Sequence, residues 1–402
     1  MLKRQPIGVF PGTAGFFLLP PVQNEDTIMP SLLQGFLPEP CPEEWLFFLA
    51  AIEGEPIERV TELLPNTKEG YFNRFILYPE KENYLKAKSM LSGDLSLLLD
   101  AVAWRLNLKQ DPPLYENTTG EFRAFILATH AYEAIQNEYW VKGIQLLEEA
   151  SKTVVHISPV FSARLLSEVA ATKQTIGMKD EHLIDFYKNA LTLIKDSAFD
   201  DMKAELTFQL GTAYQELADG RKKYYLEAIK CYNKAIKTYR KDNYPETYAT
   251  IHMNLALSYL AMPSNEHNHD LKTATAIQSL REALRYLDKE KNPDLWSSAT
   301  INLANALQYA KSSHIEDNLW EAVALYEDVL KVRKKDTDPH GYARLITNQG
   351  TALSHLGAFS SAVPKLNEAK QIFEQIGDLE ASKTVYEMLQ EIQLKQNELS
   401  KQ

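Results

Sequence analysis

A proline-anchored pattern recurs at a nearly constant spacing along this chain. Each copy has Pro-x-x, an aromatic residue or serine, and a small residue, and an apolar-small core begins ten residues after the proline. The anchors are Pro159, Pro245, Pro293 and Pro339, and a fifth copy has Asp200 in place of proline. Successive anchors are 41, 45, 48 and 46 residues apart. A near-fixed period of this length indicates a repeat architecture in which each unit packs on its neighbours.

Each repeat is predicted to form a pair of helices. The anchor opens an amphipathic first helix, because apolar residues recur at spacings of three and four and a proline in the first turn gives up no intrahelical hydrogen bond. The second helix carries small residues seven apart, such as Ala228 and Ala235, which allow close antiparallel packing. Six pairs are predicted, at residues 121–155, 159–197, 200–241, 245–289, 293–334 and 339–376, with a capping helix at 379–399.

One repeat reads Leu-Gly-x-Ala-Tyr at 210–214 and Glu-Ala-Ile-x-x-Tyr-x-x-Ala at 227–235. These frames resemble the tetratricopeptide repeat, and the stretches 302–307 and 348–353 fit the same pattern. The spacing exceeds the usual period of about 34 residues. In this it resembles the long-helix variants found in kinesin light chains and bacterial signalling proteins, and the repeats look like an uncharacterised bacterial group. The resemblance implies an all-α fold, a right-handed α-solenoid of about six antiparallel helix pairs.

Three domains are predicted from the shift in composition along the chain. Residues 1–42 are rich in proline and glycine, which disfavours helix and predicts an extended segment, either a flexible arm or a strap along the solenoid. The phenylalanines of this segment favour the strap, because they favour burial. Residues 43–120 contain short helical patterns punctuated by proline and are predicted to cap the first pair. Residues 121–402 form the predicted repeat domain.

Charge and composition limit the partners and the location that can be expected for this chain. The formal net charge of −11 argues against binding to nucleic acid, which requires clustered lysine and arginine. No stretch approaches the roughly 20 apolar residues needed to cross a bilayer. The two cysteines, Cys41 and Cys231, are too few for a disulfide framework and indicate a reducing compartment. The basic start resembles a signal peptide, but prolines interrupt its apolar region. A cytoplasmic protein is therefore predicted.

No catalytic signature is present in the sequence. The loop at 263–270 gathers His267 and His269 with two acidic residues, a combination that can bind a transition metal. No distant ligand set accompanies these histidines, and the loop of the next repeat also carries a histidine, His314, between polar residues. This recurrence indicates that the histidines are a structural feature of these loops and not a metal site. We therefore predict a protein that is not an enzyme and that has no metal and no cofactor.

A series of amides marks the candidate binding site. The residue just before the core position is Gln209, Asn254, Asn302 and Asn348 in successive repeats. In the family that the chain resembles, this position borders the concave groove, where asparagine often binds a peptide main chain. The resemblance also places Asn305, Arg344 and Thr351 at the groove. The alternative is structural, because such amides can also satisfy a helix backbone or the adjacent pair.

The function predicted from these features is that of a scaffold or adaptor that binds a peptide or protein element in the groove. One alternative is a regulatory sensor, in which a small ligand or peptide changes the curvature of the repeats. A second alternative is a metal-dependent enzyme built on His267 and His269. The sequence does not determine the oligomeric state.

Overall fold

A computed structural model describes residues 3–4, 16–23, 25–116, 118–263, 266–311 and 314–399. Within these residues the chain is all-α, apart from β1 (Lys3–Arg4), which pairs antiparallel with β2 (Phe36–Leu37). The predicted fold class is thus confirmed. The chain forms two compact units, Met1–Ala213 and Tyr214–Gln402. The predicted division at residues 42 and 120 stays a prediction.

Within the described residues, six short α-helices precede the repeats. They are α1 (Glu25–Leu33), α2 (Leu46–Ile52), α3 (Ile57–Glu62), α4 (Lys68–Leu77), α5 (Lys81–Met90) and α6 (Gly93–Arg105). Helix α4 begins where the Thr67 side chain accepts a hydrogen bond from the Gly70 backbone N–H, which satisfies one of the free donors of a helix start. Its buried residues include Phe72 and Phe75, which are 0% exposed and belong to the aromatic core of this region.

Helix α1 corrects the prediction that residues 1–42 are extended. The helix contains Pro30, which cannot donate a hydrogen bond and usually breaks a helix interior. In a helix of nine residues this loss affects a single turn. Leu32 is 6% exposed, and Ile28 and Met29 pack against the same aromatic core. Apolar burial on one face of α1 therefore outweighs the unfavourable composition.

Residues 16–23 form a strap, defined here as the extended segment that precedes α1. The Asn73 side chain, which is fully buried, binds both backbone groups of Leu18: its Oδ1 accepts from the Leu18 N–H at 2.8 Å, and its Nδ2 donates to the Leu18 carbonyl at 2.8 Å. The indole N–H of Trp45 donates to the Pro20 carbonyl at 2.8 Å. Phe17 is 7% exposed. The strap therefore lies on the N-terminal helices.

The segment that follows α1 contacts residues that come much later in the sequence. The carbonyl of Gln34 accepts a hydrogen bond of 2.8 Å from the backbone N–H of Ala198. Gly35 has a φ of +89°, and a Cβ at this position would lie 2.8 Å from the ring of Phe199. Both the backbone conformation and the close approach require glycine here. The turn after α1 is thereby joined to the end of the second helix pair.

The six predicted helix pairs are confirmed. The pairs are α7 (Gly120–Gln136) with α8 (Trp140–Val154), α9 (Pro159–Thr175) with α10 (Glu181–Leu193), α11 (Asp200–Glu216) with α12 (Lys222–Ala235), α13 (Pro245–Ala261) with α14 (Glu266–Leu284), α15 (Pro293–Gln308) with α16 (Ile315–Leu330), and α17 (Pro339–His355) with α18 (Phe359–Gln375). A final helix, α19 (Leu379–Leu399), follows at the predicted place. Each anchor proline occupies the first turn of its helix.

Small residues bring the paired helices close together, as predicted. A Cβ on Gly350 of α17 would lie 2.8 Å from Leu366 Cγ of α18. The neighbouring core position holds Gln349, which is only 1% exposed. Its Nε2 donates to Glu327 Oε2 at 2.9 Å, so that one half of this buried amide has a partner. Gln349, which stands where the other repeats have an apolar residue, is therefore buried in the core.

A hydrogen bond between a tyrosine and a glutamine recurs within the pairs. The buried hydroxyl of the second-helix tyrosine donates to the amide oxygen of a glutamine on the first helix. The three examples are Tyr187 to Gln174 at 2.6 Å, Tyr232 to Gln215 at 2.8 Å and Tyr326 to Gln308 at 3.0 Å. Leucine stands at the tyrosine position of the other three pairs, as Leu147, Leu280 and Leu366, so the tyrosine hydroxyl is missing there.

Tyr326→Phe is expected to lower the free energy of unfolding by about 1–2 kcal/mol, because the acceptors on Asn305 and Gln308 lose a buried donor. Urea unfolding of the full chain measures the change. Tyr309→Phe is the matched control, since Tyr309 is 64% exposed, and we expect less than about 0.5 kcal/mol for it. Equal unfolding midpoints for the two variants would contradict a stabilising role of the Tyr326 hydroxyl.

Candidate binding surface on the first helices

The predicted site residues lie on first helices in both units. Gln209 is on α11 in the first unit, where it is half-buried and its Oε1 has no hydrogen-bond partner among the described residues. The other six residues are on α13, α15 and α17 of the second unit. We call these six residues together the first-helix surface: Asn254, Asn302, Asn305, Arg344, Asn348 and Thr351.

Asn305 and Asn348 are brought together by the packing of successive repeats. The Asn348 Nδ2 donates to Asn305 Oδ1 at 3.1 Å, although the two residues are 43 positions apart. The same Asn305 oxygen also accepts from the Tyr326 hydroxyl at 2.6 Å. Burial raises the pKa of Tyr326 well above its usual value, so the hydroxyl remains a donor at neutral pH. The Asn305 side chain is therefore bonded both to the next repeat and to the second helix of its own repeat.

Asn254 and Asn302 differ from that pair. Each is half-buried on its first helix, directly before the core residues Leu255 and Leu303. Neither side chain forms a hydrogen bond to another residue in the part of the chain that the structure describes. An asparagine amide has two donors and an acceptor, which form hydrogen bonds either within the protein or with solvent. The hydrogen-bonding groups of these two amides are therefore not used within the described part of the chain.

Arg344 and Thr351 stand on either side of Asn348 along α17. Arg344 is exposed and forms no ion pair with any described residue. Thr351 donates to the carbonyl of Thr347, one turn earlier, at 2.9 Å, and its hydroxyl lies 3.8 Å from Met388 Sδ of α19. The Arg344 guanidinium is therefore exposed and unpaired within the described residues, whereas the hydroxyl of Thr351 is already bonded to its own helix.

The first-helix surface is poor in charge. Among the Asp, Glu, Lys and Arg residues, α13 carries only Glu246, α15 only Asp294 and α17 only Arg344. Glu246 Oε1 also accepts a hydrogen bond of 2.8 Å from Asn292. The second helices α14, α16 and α18 carry many more charged residues than these first helices do. Recognition at this surface would therefore depend on hydrogen bonds and apolar contact more than on ionic attraction.

Two aromatic residues at the ends of the first helices were missed by the sequence analysis. Tyr309 is 64% exposed, and its ring centre lies 6.3 Å from that of His355 in an edge-to-face arrangement. Burial, with a smaller effect from Lys395, lowers the pKa of His355, so the ring is uncharged at neutral pH. Both residues stand six positions after the core residue of their repeat, and that shared spacing is the signal that could have found them.

The predicted alternative of a metal site falls mostly outside the described side chains, since the side chains of residues 266–268 are not described. His269 is exposed, and its Nδ1 lies 3.7 Å from Asp270 Oδ1. Across the described residues, no three His, Cys, Asp or Glu side chains are grouped so that they could hold a metal ion. No helix within the described ranges combines the length and the apolar composition that crossing a membrane requires.

The helix-pair architecture also occurs in solved structures. A signal transduction ATPase with numerous domains (STAND) from Pyrococcus horikoshii, which has a tetratricopeptide repeat sensor, superposes with a TM-score of 0.52 at 13% identity. The match covers 85% of this chain and 48% of that protein, so the chain spans about half its length. The fold is tetratricopeptide-like.

Two other solved structures are similar at lower TM-scores. The BtubC protein from P. vanneervenii has a TM-score of 0.46 and 18% identity, with 60% of this chain and 92% of that chain covered. The Rap conjugation gene regulator of plasmid pLS20, in complex with the Phr* peptide, has a TM-score of 0.38 and 15% identity over 81% of this chain and 94% of that one. No protein-family model matches the sequence, and no curated protein matches it.

Proposed function

We propose that this tetratricopeptide-like protein is a non-catalytic binding scaffold, and that the first-helix surface holds a peptide or an extended protein element through its main chain. The observation that supports this proposal is the pair of half-buried amides, Asn254 and Asn302, that have no partner among the described residues. They occupy equivalent positions in successive repeats, so an extended chain could meet them one after the other. A cytoplasmic location and a bacterial origin remain predictions.

The chemistry of an asparagine side chain fits a peptide main chain. Its carbonyl oxygen accepts from a backbone N–H, and its amide group donates to a backbone carbonyl of the same residue. The protein already contains one such interaction, because Asn73 binds the N–H and the carbonyl of Leu18 at 2.8 Å each. The Asn305–Asn348 hydrogen bond would act as a fixed support between the repeats, and Asn254 and Asn302 would contact the partner.

The low charge of the surface favours a partner segment without a strong acidic or basic character. An extended peptide places alternate side chains on opposite sides, so that its main-chain bonds supply affinity and its side chains supply specificity. Arg344 is the single cation on the three first helices and would contact one end of such a segment or a carboxylate within it. This arrangement differs from a site that clamps an acidic tail with several cations.

The double variant Asn254→Ala and Asn302→Ala is expected to weaken capture of the natural partner by roughly tenfold or more, since each lost hydrogen bond contributes about 0.5–1.5 kcal/mol. Tagged full-length protein is incubated with extract from its source, and the captured proteins are quantified by mass spectrometry. The matched control removes two exposed second-helix amides, Asn189 and Asn367, in the same way. The melting temperatures of both double variants are compared with that of the wild type.

The decisive result is the set of proteins that the wild type and the control variant retain and the first-helix variant loses. If all three proteins, equally folded, capture the same partners in equal amounts, the first-helix surface is not the binding site. Dependence of the capture on Arg344 is examined in the same experiment with Arg344→Ala, for which Lys230→Ala on α12 is the exposed control cation.

A further inference from the structure

Two second helices of the second unit differ from the other second helices in charge. Among Asp, Glu, Lys and Arg, α12 carries four lysines and one acidic residue, whereas α16 carries five acidic residues and no basic one. In each of the other four second helices the acidic residues equal the basic ones in number or exceed them by one. Strong charge of opposite sign is therefore concentrated on two helices of the same unit.

The opposite charges occupy equivalent positions in the two repeats. The second-helix tyrosines, Tyr232 and Tyr326, mark equivalent positions of α12 and α16. At the same three offsets from that tyrosine, α12 has a lysine and α16 has an acidic residue. The equivalent pairs are Lys222 and Glu316, Lys223 and Asp317, and Lys234 and Asp328. Each set extends over about 18 Å of helix, so the two helices carry their charges at matching distances.

An exposed apolar side chain lies between the charged ends of each helix. Leu226 of α12 is 40% exposed, and Trp320 of α16 is 55% exposed. Each follows the first two charged residues by three and four positions, which places them on the same face of the helix. Tryptophan is highly buried on average and is enriched at the centre of protein interfaces, so its exposure indicates a contact surface. We call the two sets the lysine face (Lys222, Lys223, Leu226 and Lys234) and the acidic face (Glu316, Asp317, Trp320 and Asp328).

The lysines at the start of α12 are not explained by the stability of the helix. Lys222 and Lys223 lie in its first turn, where the helix dipole favours acidic residues and disfavours cations. Burial and then the nearby charge of Lys222 lower the pKa of Lys272 on α14, so Lys222 also lies near a second cation. Lys222 and Lys223 are exposed and form no ion pair with another described residue. Within the described part of the unit, nothing offsets this unfavourable placement of charge.

The acidic face is accessible despite its local ion pairs. Glu316 is exposed and forms no ion pair with any described residue. Asp317 Oδ2 lies 3.6 Å from His314 Nδ1, and Asp328 pairs with Lys331 at 2.7 Å. Exposed pairs of this kind contribute less than about 1 kcal/mol, so they do not prevent the carboxylates from meeting other cations.

We propose that the protein associates with itself, with the lysine face of one copy bound to the acidic face of the next. Each face has charges at both ends and an apolar residue between them, so that lysines meet carboxylates while Trp320 packs against Leu226. The two faces are different surfaces of one copy, so copies join head to tail, in an open chain or a closed ring. A contact between two helix faces is small, and the association is therefore expected to be weak and reversible.

Sedimentation velocity of the full-length protein tests this proposal, at concentrations up to about 500 µM because small interfaces bind weakly. The lysine-face variant is Lys222→Glu with Lys223→Glu, which places acidic residues where the start of a helix favours them. The acidic-face variant is Glu316→Lys with Asp317→Lys. Melting temperatures show whether each variant is folded.

Two further proteins separate the faces from general effects of charge. The matched control for the lysine-face variant is Lys142→Glu with Lys152→Glu, which makes the same change in net charge at two exposed lysines of α8. Trp320→Ser removes the exposed apolar side chain of the acidic face and leaves the charges of both faces unchanged.

The wild type and the control are expected to form oligomers that dissociate in about 1 M salt, where the Debye length is about 3 Å. Each charge-reversal variant alone is expected to associate more weakly by about tenfold or more, and so is Trp320→Ser. An equal mixture of the two charge-reversal variants is expected to regain the association, because contacts between them again join opposite charges.

A wild type that remains monomeric up to the highest concentration would overturn the proposal. The same conclusion follows if the charge-reversal variants or Trp320→Ser associate as strongly as the wild type, or if the mixture stays monomeric. It also follows if the control on α8 loses association to the same extent as the lysine-face variant.

Discussion

Asp100→Asn is expected to lower the free energy of unfolding by about 3 kcal/mol, the lower end of the range for breaking a buried ion pair. The Asp100 side chain is 6% exposed and accepts from Lys88 and Lys109 at 2.7 Å each. Its Oδ1 also accepts from the Tyr84 hydroxyl at 3.1 Å. The two lysines are themselves partly exposed, so water can reach them after the substitution, and this keeps the loss near the lower limit.

The matched control is Asp328→Asn. Asp328 pairs with Lys331 at the same distance of 2.7 Å, but its side chain is 47% exposed, and such a pair contributes less than about 1 kcal/mol. Both variants are measured by urea unfolding of the full-length protein at pH 7. If Asp100→Asn and Asp328→Asn shift the unfolding midpoint by the same amount, burial of Asp100 does not strengthen the contribution of its ion pairs to stability.

The effect of Asp100→Asn is also expected to depend on pH. Burial alone would raise the pKa of Asp100, but the hydrogen bonds from Lys109 and Lys88 and their charges lower it below its ordinary value. A carboxyl group whose folded pKa is depressed stabilises the protein above its unfolded pKa of about 3.9 and loses that contribution as the pH falls through the folded value. The difference between wild type and Asp100→Asn should therefore be largest near pH 7 and shrink below pH 4.

Asn73→Ala is expected to destabilise the first unit by about 2–4 kcal/mol and to release the strap. The substitution removes two hydrogen bonds of a fully buried amide and leaves the N–H and the carbonyl of Leu18 without those partners. Hydrogen exchange followed by mass spectrometry measures the release directly, as faster exchange of peptides that contain Leu18.

The control for this second prediction is Asn137→Ala, which removes an exposed amide that bonds only within its own helix, to Glu133. We expect its exchange pattern in residues 16–23 to match that of the wild type. Unchanged exchange at Leu18 in the Asn73→Ala protein would show that apolar burial of Phe17 and its neighbours is sufficient to hold the strap.

The sequence predicted the repeat helices well, because the information that forms them is local. The predicted pair at 245–289 corresponds to helices Pro245–Ala261 and Glu266–Leu284, and its proline, small residues and apolar stripe all lie within that window. Because each repeat follows the same sequence pattern, clear matches in some copies support the prediction where one copy matches poorly.

The N-terminal helices were harder to predict, because their stability depends on distant contacts. Helix α4 contains Gly70, which weakens a helix prediction, yet glycine is required there since a side chain would collide with the Pro65 carbonyl. The role of Asn73 depends on Leu18, 55 residues away, and no spacing in the sequence connects them. The same limit applies to the candidate site. Periodicity located the amides, but only packing shows that Asn348 bonds Asn305 and that Asn254 has no such partner among the described residues.

The hydrogen bond between Gln34 and Ala198 has a consequence for the order in which the chain folds. Four repeat helices, α7 to α10, lie between these two residues in the sequence. Contacts of large sequence separation form late, because the intervening chain must be ordered first, whereas helix pairs need only their neighbours. During synthesis the N-terminal segment emerges before the residues on which it docks. The turn at Gln34, although it is synthesised well before Ala198, would therefore be among the last parts of this unit to reach its native position.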